Sequence, residues 1–360
     1  MTAPRLEVRL DRIHLNARSL VDRLAPRGIA VTGVTKATLG SPEVAAALVA
    51  AGVSALGESR IEGLERLRAA GLTVPLVLVR SPMPSQVGRV VAAADVSFNT
   101  EPDVLEALAA AARRQGRVHG VVLMVELGDL REGILPGDVE VVARQVAASP
   151  HLELRGIGTN LACQSGVVPG DDNMAELSAL VATVEAALGA RLPLVSGGNS
   201  STLAWAFSTA DVGRVDDLRL GEAILLGTDP LDRRPLDGLH ADAFTLVAEV
   251  IEAKIKPTQP WGDVGHAAFG TPLRAADRGL ANRAIVALGE QDVDPGDVVA
   301  PPGISVLGAS SDHLVLDTGT LVLEPGDEVR FGVGYRALLR AMTSPFVGVR
   351  YARRTAPLGR

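Results

Sequence analysis

Short apolar runs alternate with stretches of helical periodicity through the first two-thirds of the chain. The runs fall at residues 30–35 (AVTGVT), 54–57 (SALG), 76–80 (LVLVR), 95–98 (DVSF), 120–126 (GVVLMVE), 154–159 (LRGIGT), 194–196 and 216–220. Apolar on both faces and separated by helices, they read as strands of a parallel sheet covered on both sides. Between them, Val104, Leu105, Leu108, Ala111 and Ala112 form one helical stripe. Met174, Leu177, Leu180, Val181, Val184 and Leu188 form another, with Asn173 as N-cap and Glu176 three residues on. An amphipathic helix over residues 10–24 precedes the first strand. Strict alternation of strand and helix predicts a closed α/β barrel of the (β/α)8 TIM type, with an open doubly wound sheet as the alternative.

The pattern changes after Gly227. Residues 229–242 are rich in Pro and Asp and read as a linker. Beyond them come β-type runs at 243–255, 283–288, 298–300, 314–317 and 328–331. Pro-Gly-Asp at 295–297 and again at 325–327 leads into such a run each time, which is turn chemistry. The expected organisation is a barrel over 1–228, a linker over 229–242 and a mainly-β C-terminal domain over 243–360.

Composition narrows the class. The 360 residues are 47% hydrophobic but 3% aromatic, so the core must be built from Ala, Val, Leu and Ile. The longest uncharged apolar stretch, Val44 to Gly57, falls short of the roughly 20 residues of a membrane-spanning helix. The start is charged within five residues and has no apolar signal region, so a cytoplasmic location is expected. A net charge of −7 without a Lys/Arg run argues against nucleic acid as a partner. The single cysteine, Cys163, excludes an internal disulfide and a Cys-based zinc cluster, and no metal site is expected.

In a barrel the chemistry stands at the C-terminal ends of the strands. Those ends carry Lys36 in GVTKA, Asp129, Arg131 and Glu132 in GDLREG, Asn160 in GTNLA, the run SGGNSS (Ser196 to Ser201), and Arg219 with Gly221 in RLGEA. SGGNSS has the makings of a phosphate cradle: glycines admit close approach, hydroxyls donate, and a helix opening near Ser200 offers free N–H groups. It is equally an ordinary helix-capping turn. Lys36 is either a surface lysine at a strand tip or an amine in a partly dry mouth, able to form a Schiff base. Arg131 and Arg219 are either functional or structural partners of nearby carboxylates. Together, a Schiff-base lysine and a phosphate cradle in one mouth point to pyridoxal phosphate.

The motifs GVTKA, MVELGDLREGI, GIGTNLACQSGVVP, SGGNSS, LRLGEAILLG, LGASSDHLVLD and GYRALLRAMTSPFV, spread from residue 33 to 347, resemble the fold-type III pyridoxal-phosphate enzymes. Within that alanine racemase superfamily the chain is most similar to the ornithine racemase-like branch. The resemblance implies an N-terminal barrel with a C-terminal β domain. It also implies pyridoxal 5'-phosphate as cofactor, a free amino acid as substrate, and a homodimer with shared active sites. It implies that Lys36 carries the cofactor and is one of two acid/base groups. Ser196, Asn199, Ser200, Gly221 and Tyr335 are implied around the phosphate, Arg131 at the phenolic oxygen, and Arg219 at the pyridine nitrogen.

The chain departs from alanine racemase at two points. Glu290 stands where a tyrosine is the second base, with Asp312 and His313 as other candidates, and Asn160 stands where the family has a histidine over the ring. The expected function is racemisation of a free amino acid, cationic (ornithine or lysine) rather than alanine. The alternatives are a non-catalytic pyridoxal-phosphate-binding protein and a decarboxylase or aldolase-type enzyme on the same scaffold.

Overall fold

The computed structural model describes residues 2–266 and 277–352, so parts of the expected C-terminal domain lie outside the described residues. Two compact units emerge. One comprises Asp11–Ala241; the other joins the segment up to Leu10 to the chain from Asp242 onward. Strand β1 (Arg5–Arg9) belongs to the second unit. The first unit holds β2 (Ala30–Val34), β3 (Ala55–Glu58), β4 (Leu76–Leu78), β5 (Val96–Asn99), β6 (His119–Val125), β7 (Leu152–Thr159), β8 (Leu194–Ser196) and β9 (Asp217–Leu220). All eight run parallel in chain order, and β9 pairs back onto β2, Thr32 opposite Arg219, so the sheet is a closed barrel and not an open one.

The helices follow the predicted stripes. The helix Pro102–Arg114 buries Val104, Leu105, Leu108, Ala111 and Ala112, and its proline sits in the first turn, where its missing N–H costs nothing. The helix Asp171–Leu188 buries Met174, Leu177, Val181 and Val184, while Leu180 and Leu188 are only half-buried. Its cap is not Asn173. The helix begins three residues earlier, after Gly170, and Asn173 reaches back from the first turn to accept the Gly170 N–H at 2.9 Å. Ala55, Val77, Phe98, Val122 and Met124, from four neighbouring barrel strands, pack as one cluster, in which a single large aromatic fills what the aliphatics leave open.

The second unit is a mainly antiparallel sheet. It contains β10 (Phe244–Pro257), β11 (Leu280–Val286), β12 (Val298–Val299), β13 (Ser305–Ala309), β14 (Leu314–Gly319), β15 (Glu328–Val333) and β16 (Gly348–Ala352), with the α-helix Tyr335–Thr343 among its described residues. The strand order is β12-β15-β10-β11-β14-β13; β1 pairs antiparallel with β10 and parallel with β16.

Two expected boundaries move. The first ten residues belong to the β unit and not to the barrel. RLEVR alternates, burying Leu6 and Val8 completely, while Arg5 pairs with Glu328 at 2.6 Å and Glu7 with Arg330. That period of two suits a sheet with one wet face, whereas the barrel strands carry mostly apolar residues on both faces. The expected linker is folded onto the barrel unit. Leu236 N–H donates to Gly227 O at 2.8 Å, and buried Asn16 clasps His240, accepting its N–H at 2.7 Å and donating to its carbonyl at 2.8 Å. Among the described residues no helix is long and apolar enough to cross a membrane.

Candidate active site

The mouth of the barrel is assembled from the segments that leave the C-terminal ends of β2, β3, β6, β7, β8 and β9. Lys36 follows β2 and opens a single 3-10 turn, Lys36–Thr38. Burial lowers the pKa of its amine, and the cations of Arg131 and Arg219 push the same way; Cys163 and Glu58 oppose without reversing the shift. The structure therefore favours an amine easier to deprotonate than a free lysine over the surface-lysine reading.

Glu58, at the end of β3, is 1% exposed and accepts from Ser59 N–H at 2.7 Å and from Thr35 Oγ1 at 3.2 Å. Burial raises its pKa in spite of these donors. Gly63 gives it room: a Cβ there would lie 2.5 Å from Glu58 Cγ.

Arg219 is buried on β9. Its Nη1 donates to Ser196 Oγ at 2.6 Å, and its Nη2 to Thr159 O at 2.7 Å and Asn160 Oδ1 at 3.2 Å. Its guanidinium carbon lies 5.0 Å from the Phe98 ring centre. Burial pulls its pKa down to about 10, still a cation at neutral pH. Behind it, wholly buried Asp217 accepts from Thr32 Oγ1 at 2.7 Å and from Ser196 Oγ. Ser196, expected at a phosphate, is thus turned toward Asp217 and Arg219.

The SGGNSS run leaves β8 as a 3-10 turn, Ser200–Thr202, followed by a six-residue helix, Leu203–Ser208, shorter than the run suggests. Asn199 accepts the Ser201 N–H at 2.8 Å, and its amide donates to Asn160 Oδ1 at 3.0 Å and Leu161 O at 2.9 Å. It therefore staples the loops after β7 and β8 together. Ser200 Oγ accepts the Ala223 N–H at 3.2 Å and so joins this turn to the segment that begins at Gly221.

Arg131 stands on the loop after β6, with Glu132 bonded to both its Nε and its Nη2. The loop is tied at its base, where Ile134 N–H donates to Met124 O at 2.7 Å and Glu126 N–H to Ile134 O at 3.0 Å. Glu126 also accepts the Gly128 N–H at 2.6 Å and the Leu130 N–H at 3.0 Å. Buried Asp129 accepts the N–H groups of Cys163, Gln164 and Ser165 at 2.9–3.1 Å. Those donors hold its carboxyl below the usual range although burial works against them, and they lock the loops after β6 and β7 together.

Lys36, Arg131, Asn160, Ser196, Asn199, Ser200, Arg219 and Gly221 are thus brought to one mouth. Glu290, Asp312, His313 and Tyr335 belong to the other unit. There Glu290 N–H donates to Ser310 O at 2.9 Å, while its carboxylate accepts from Arg340 at 2.7 Å. Asp312 pairs with His313 Nδ1 at 2.7 Å, and Gly289 packs against the Asp312 backbone, where a Cβ would meet its N at 2.3 Å. Tyr335 opens the helix Tyr335–Thr343. The sequence reading missed Glu58, Thr32 and Asp217. A signal for the last existed, since Asp217 and Arg219 alternate as charged residues within an otherwise apolar barrel strand.

The mouth suits a flat, anionic cofactor with a reactive carbonyl. It offers an amine of lowered pKa and two guanidinium groups, and it leaves Ser201 Oγ and Asn160 Nδ2 buried without a protein partner.

Residues 8–229 match the family described as "Alanine racemase, N-terminal domain". Over 350 residues the chain is 40% identical to the lysine racemase of Thermotoga maritima, covering 96% of this chain and 98% of that one. Over 348 residues it is 33% identical to the ornithine racemase of Acetoanaerobium sticklandii, with the same coverage, 96% and 98%. The crystal structure of alanine racemase from Streptomyces lavendulae superposes with a TM-score of 0.76 at 24% identity, covering 99% of each chain.

Proposed function

This chain belongs to the alanine racemase family, and from that membership we propose that it is a pyridoxal-phosphate-dependent isomerase that racemises a free cationic amino acid, lysine or ornithine. Similarity to a lysine and an ornithine racemase over nearly the full length supports the substrate class. The structural observation that carries the reading is Lys36, a half-buried lysine at the barrel mouth whose amine pKa is lowered by burial and by the cations of Arg131 and Arg219.

When bound, pyridoxal phosphate supplies a carbonyl for the amine and an electron-withdrawing ring that acidifies the substrate's α-carbon. Ser200 and Ser201 would hold its phosphate, Arg219 and Asn160 would hold its ring, and Arg131 would receive the substrate's α-carboxylate. Arg219 stays protonated, so toward a ring nitrogen it would be a hydrogen-bond donor and not a source of a proton. Racemisation takes a proton from one face of the α-carbon and returns one to the other. Lys36 serves one face. For the other we assign the β unit of a second copy in a homodimer, where Asp312 orients His313 through Nδ1 and leaves Nε2 to carry the proton. Glu290, engaged by Arg340, is the other candidate there.

The test is proton NMR of L-lysine and L-ornithine with loaded enzyme in D2O, followed by chiral analysis. Loss of the α-proton signal with growth of the D-isomer is expected. Exchange with full retention of configuration would overturn the two-base reading. A Lys36→Ala protein that keeps its yellow colour through dialysis would overturn the cofactor assignment.

A further inference from the structure

Glu132 occupies the two N–H groups with which Arg131 would receive a substrate's carboxylate. It accepts from Nε and from Nη2, the two-point geometry that a guanidinium offers any carboxylate. The pair stands on a loop tied at its base and pinned by Glu126 and Asp129, and the two side chains keep 35% and 27% of their exposure. It also faces the reacting centre, since Arg131 acts on Lys36, and Glu132 acts on Arg219.

The neighbouring carboxylates of the mouth are otherwise engaged. Glu58 holds Ser59 N–H and Thr35, Asp129 holds three backbone N–H groups, and Asp217 holds Thr32 and Ser196. Glu222 faces Arg233 at 3.6 Å. Glu132 differs from these because its partner is the very group the substrate needs.

We propose that Glu132 selects the cationic side chain by an exchange of ion pairs: the incoming α-carboxylate takes Arg131, and the displaced Glu132 takes the distal ammonium. This rests on the racemase reading above. For a lysine-like substrate one ion pair breaks and two form. For a neutral amino acid one breaks and one forms, and a half-buried carboxylate is left without a counter-charge. Selection therefore includes a penalty against neutral substrates as well as a contact with cationic ones.

The experiment compares wild type and Glu132→Gln, both loaded with cofactor, in two readouts. The first is kcat/KM for α-proton exchange of L-lysine against L-norleucine, its isostere without the ammonium. The second is calorimetric affinity for hexanoate, a carboxylate that has no amine. In the variant the lysine-to-norleucine ratio is expected to fall by at least about tenfold, and hexanoate to bind tighter because Arg131 is released. A ratio that survives the substitution, or unchanged hexanoate affinity, overturns the assignment while leaving the racemase reading intact. No preference for lysine in the wild type overturns the proposal and the cationic substrate class, whereas no exchange of either amino acid overturns the racemase reading. Should Glu132→Gln fail to fold, Glu132→Asp decides. Its shorter reach is expected to raise the lysine-to-ornithine ratio, and an unchanged ratio overturns the proposal.

Discussion

Arg219 and Asp217, two residues apart on β9, are joined through one hydroxyl: Arg219 Nη1 donates to Ser196 Oγ at 2.6 Å, and Ser196 Oγ donates to Asp217. The spacing of two puts both side chains on one face of the strand. The carboxylate balances a buried guanidinium without occupying the N–H groups that the barrel mouth needs. Burial alone would expel either charge; the pair, with Thr32 and Thr159 O completing its hydrogen bonds, is what keeps both.

Asp217→Ala removes that counter-charge and leaves Arg219 buried with its charge uncompensated. The loss of stability is expected to be about 3 kcal/mol, read from denaturant unfolding of the apo-protein. Asp217→Asn keeps a partner for Thr32 and Ser196, so its loss should be smaller. Equal losses would mean that the charge alone, and not the hydrogen bonds from Thr32 and Ser196, accounts for what Asp217 contributes.

Lys36 is one of three lysines among 35 basic residues, the others being Lys254 and Lys256, both paired with Glu252 on β10. This scarcity makes its titration measurable. Reductive methylation of the apo-protein across a pH series, followed by peptide mapping, should give Lys36 a midpoint below that of a free lysine side chain. Burial comes first among the causes, so Arg131→Ala should raise the midpoint only in part. A midpoint at the ordinary value would remove the physical basis for Lys36 as nucleophile.

The barrel was legible because its strands carry apolar residues on both faces, a pattern that short-range reading captures. Strand β1 was not, because its pairing strands, β10 and β16, lie more than two hundred residues away and five alternating residues carry little signal. Lys36, Arg131 and Arg219 were legible by position, since strand ends in a barrel face one mouth. The work of Ser196 and Asn199 was not. Both fit a phosphate-binding run by composition, yet Ser196 turns to Arg219 and Asn199 staples two loops, choices made by neighbours from β7 and β9. Glu132 was visible as one of several acids, and only its contact with Arg131 sets it apart.

The Glu185–Arg214 pair ties the helix Asp171–Leu188 to the segment before β9, with distances of 2.6 and 2.8 Å and a further bond from Leu192 N–H at 2.8 Å. The hydrogen bonds from Arg214 hold the Glu185 carboxyl at about 2, below its ordinary 4.5. A depressed carboxylate pKa adds stability above the unfolded value, and that stability is lost as pH falls through the folded value. With one-fifth to one-quarter of each side chain in solvent, we expect roughly 1 to 2 kcal/mol at pH 7. The stability difference between wild type and Glu185→Gln should therefore shrink steadily as pH falls from 4.5 toward 2. A difference independent of pH would assign the effect to packing.

Gly63 poses a conflict whose sign the structure decides. It lies inside the helix Ile61–Ala69, where Gly→Ala ordinarily gains about 0.5 to 1 kcal/mol. A Cβ at this site would meet Glu58 Cγ at 2.5 Å and Cδ at 2.7 Å. Glu58 cannot easily yield, being buried and held by Ser59 N–H and Thr35 beside Lys36. Gly40 closes the other side, packed against the Gly63 backbone so tightly that its own Cβ would sit 2.8 Å from Gly63 O. Overpacking of this kind costs about 1 to 3 kcal/mol, which outweighs the helical gain. Gly63→Ala is therefore expected to lower the unfolding midpoint. Displacing Glu58 also removes an acid that opposes the depression of the Lys36 pKa, so the methylation midpoint of Lys36 should fall further. A variant that is more stable than wild type with an unchanged Lys36 midpoint would show that Glu58 has room to move and plays no part in setting the amine.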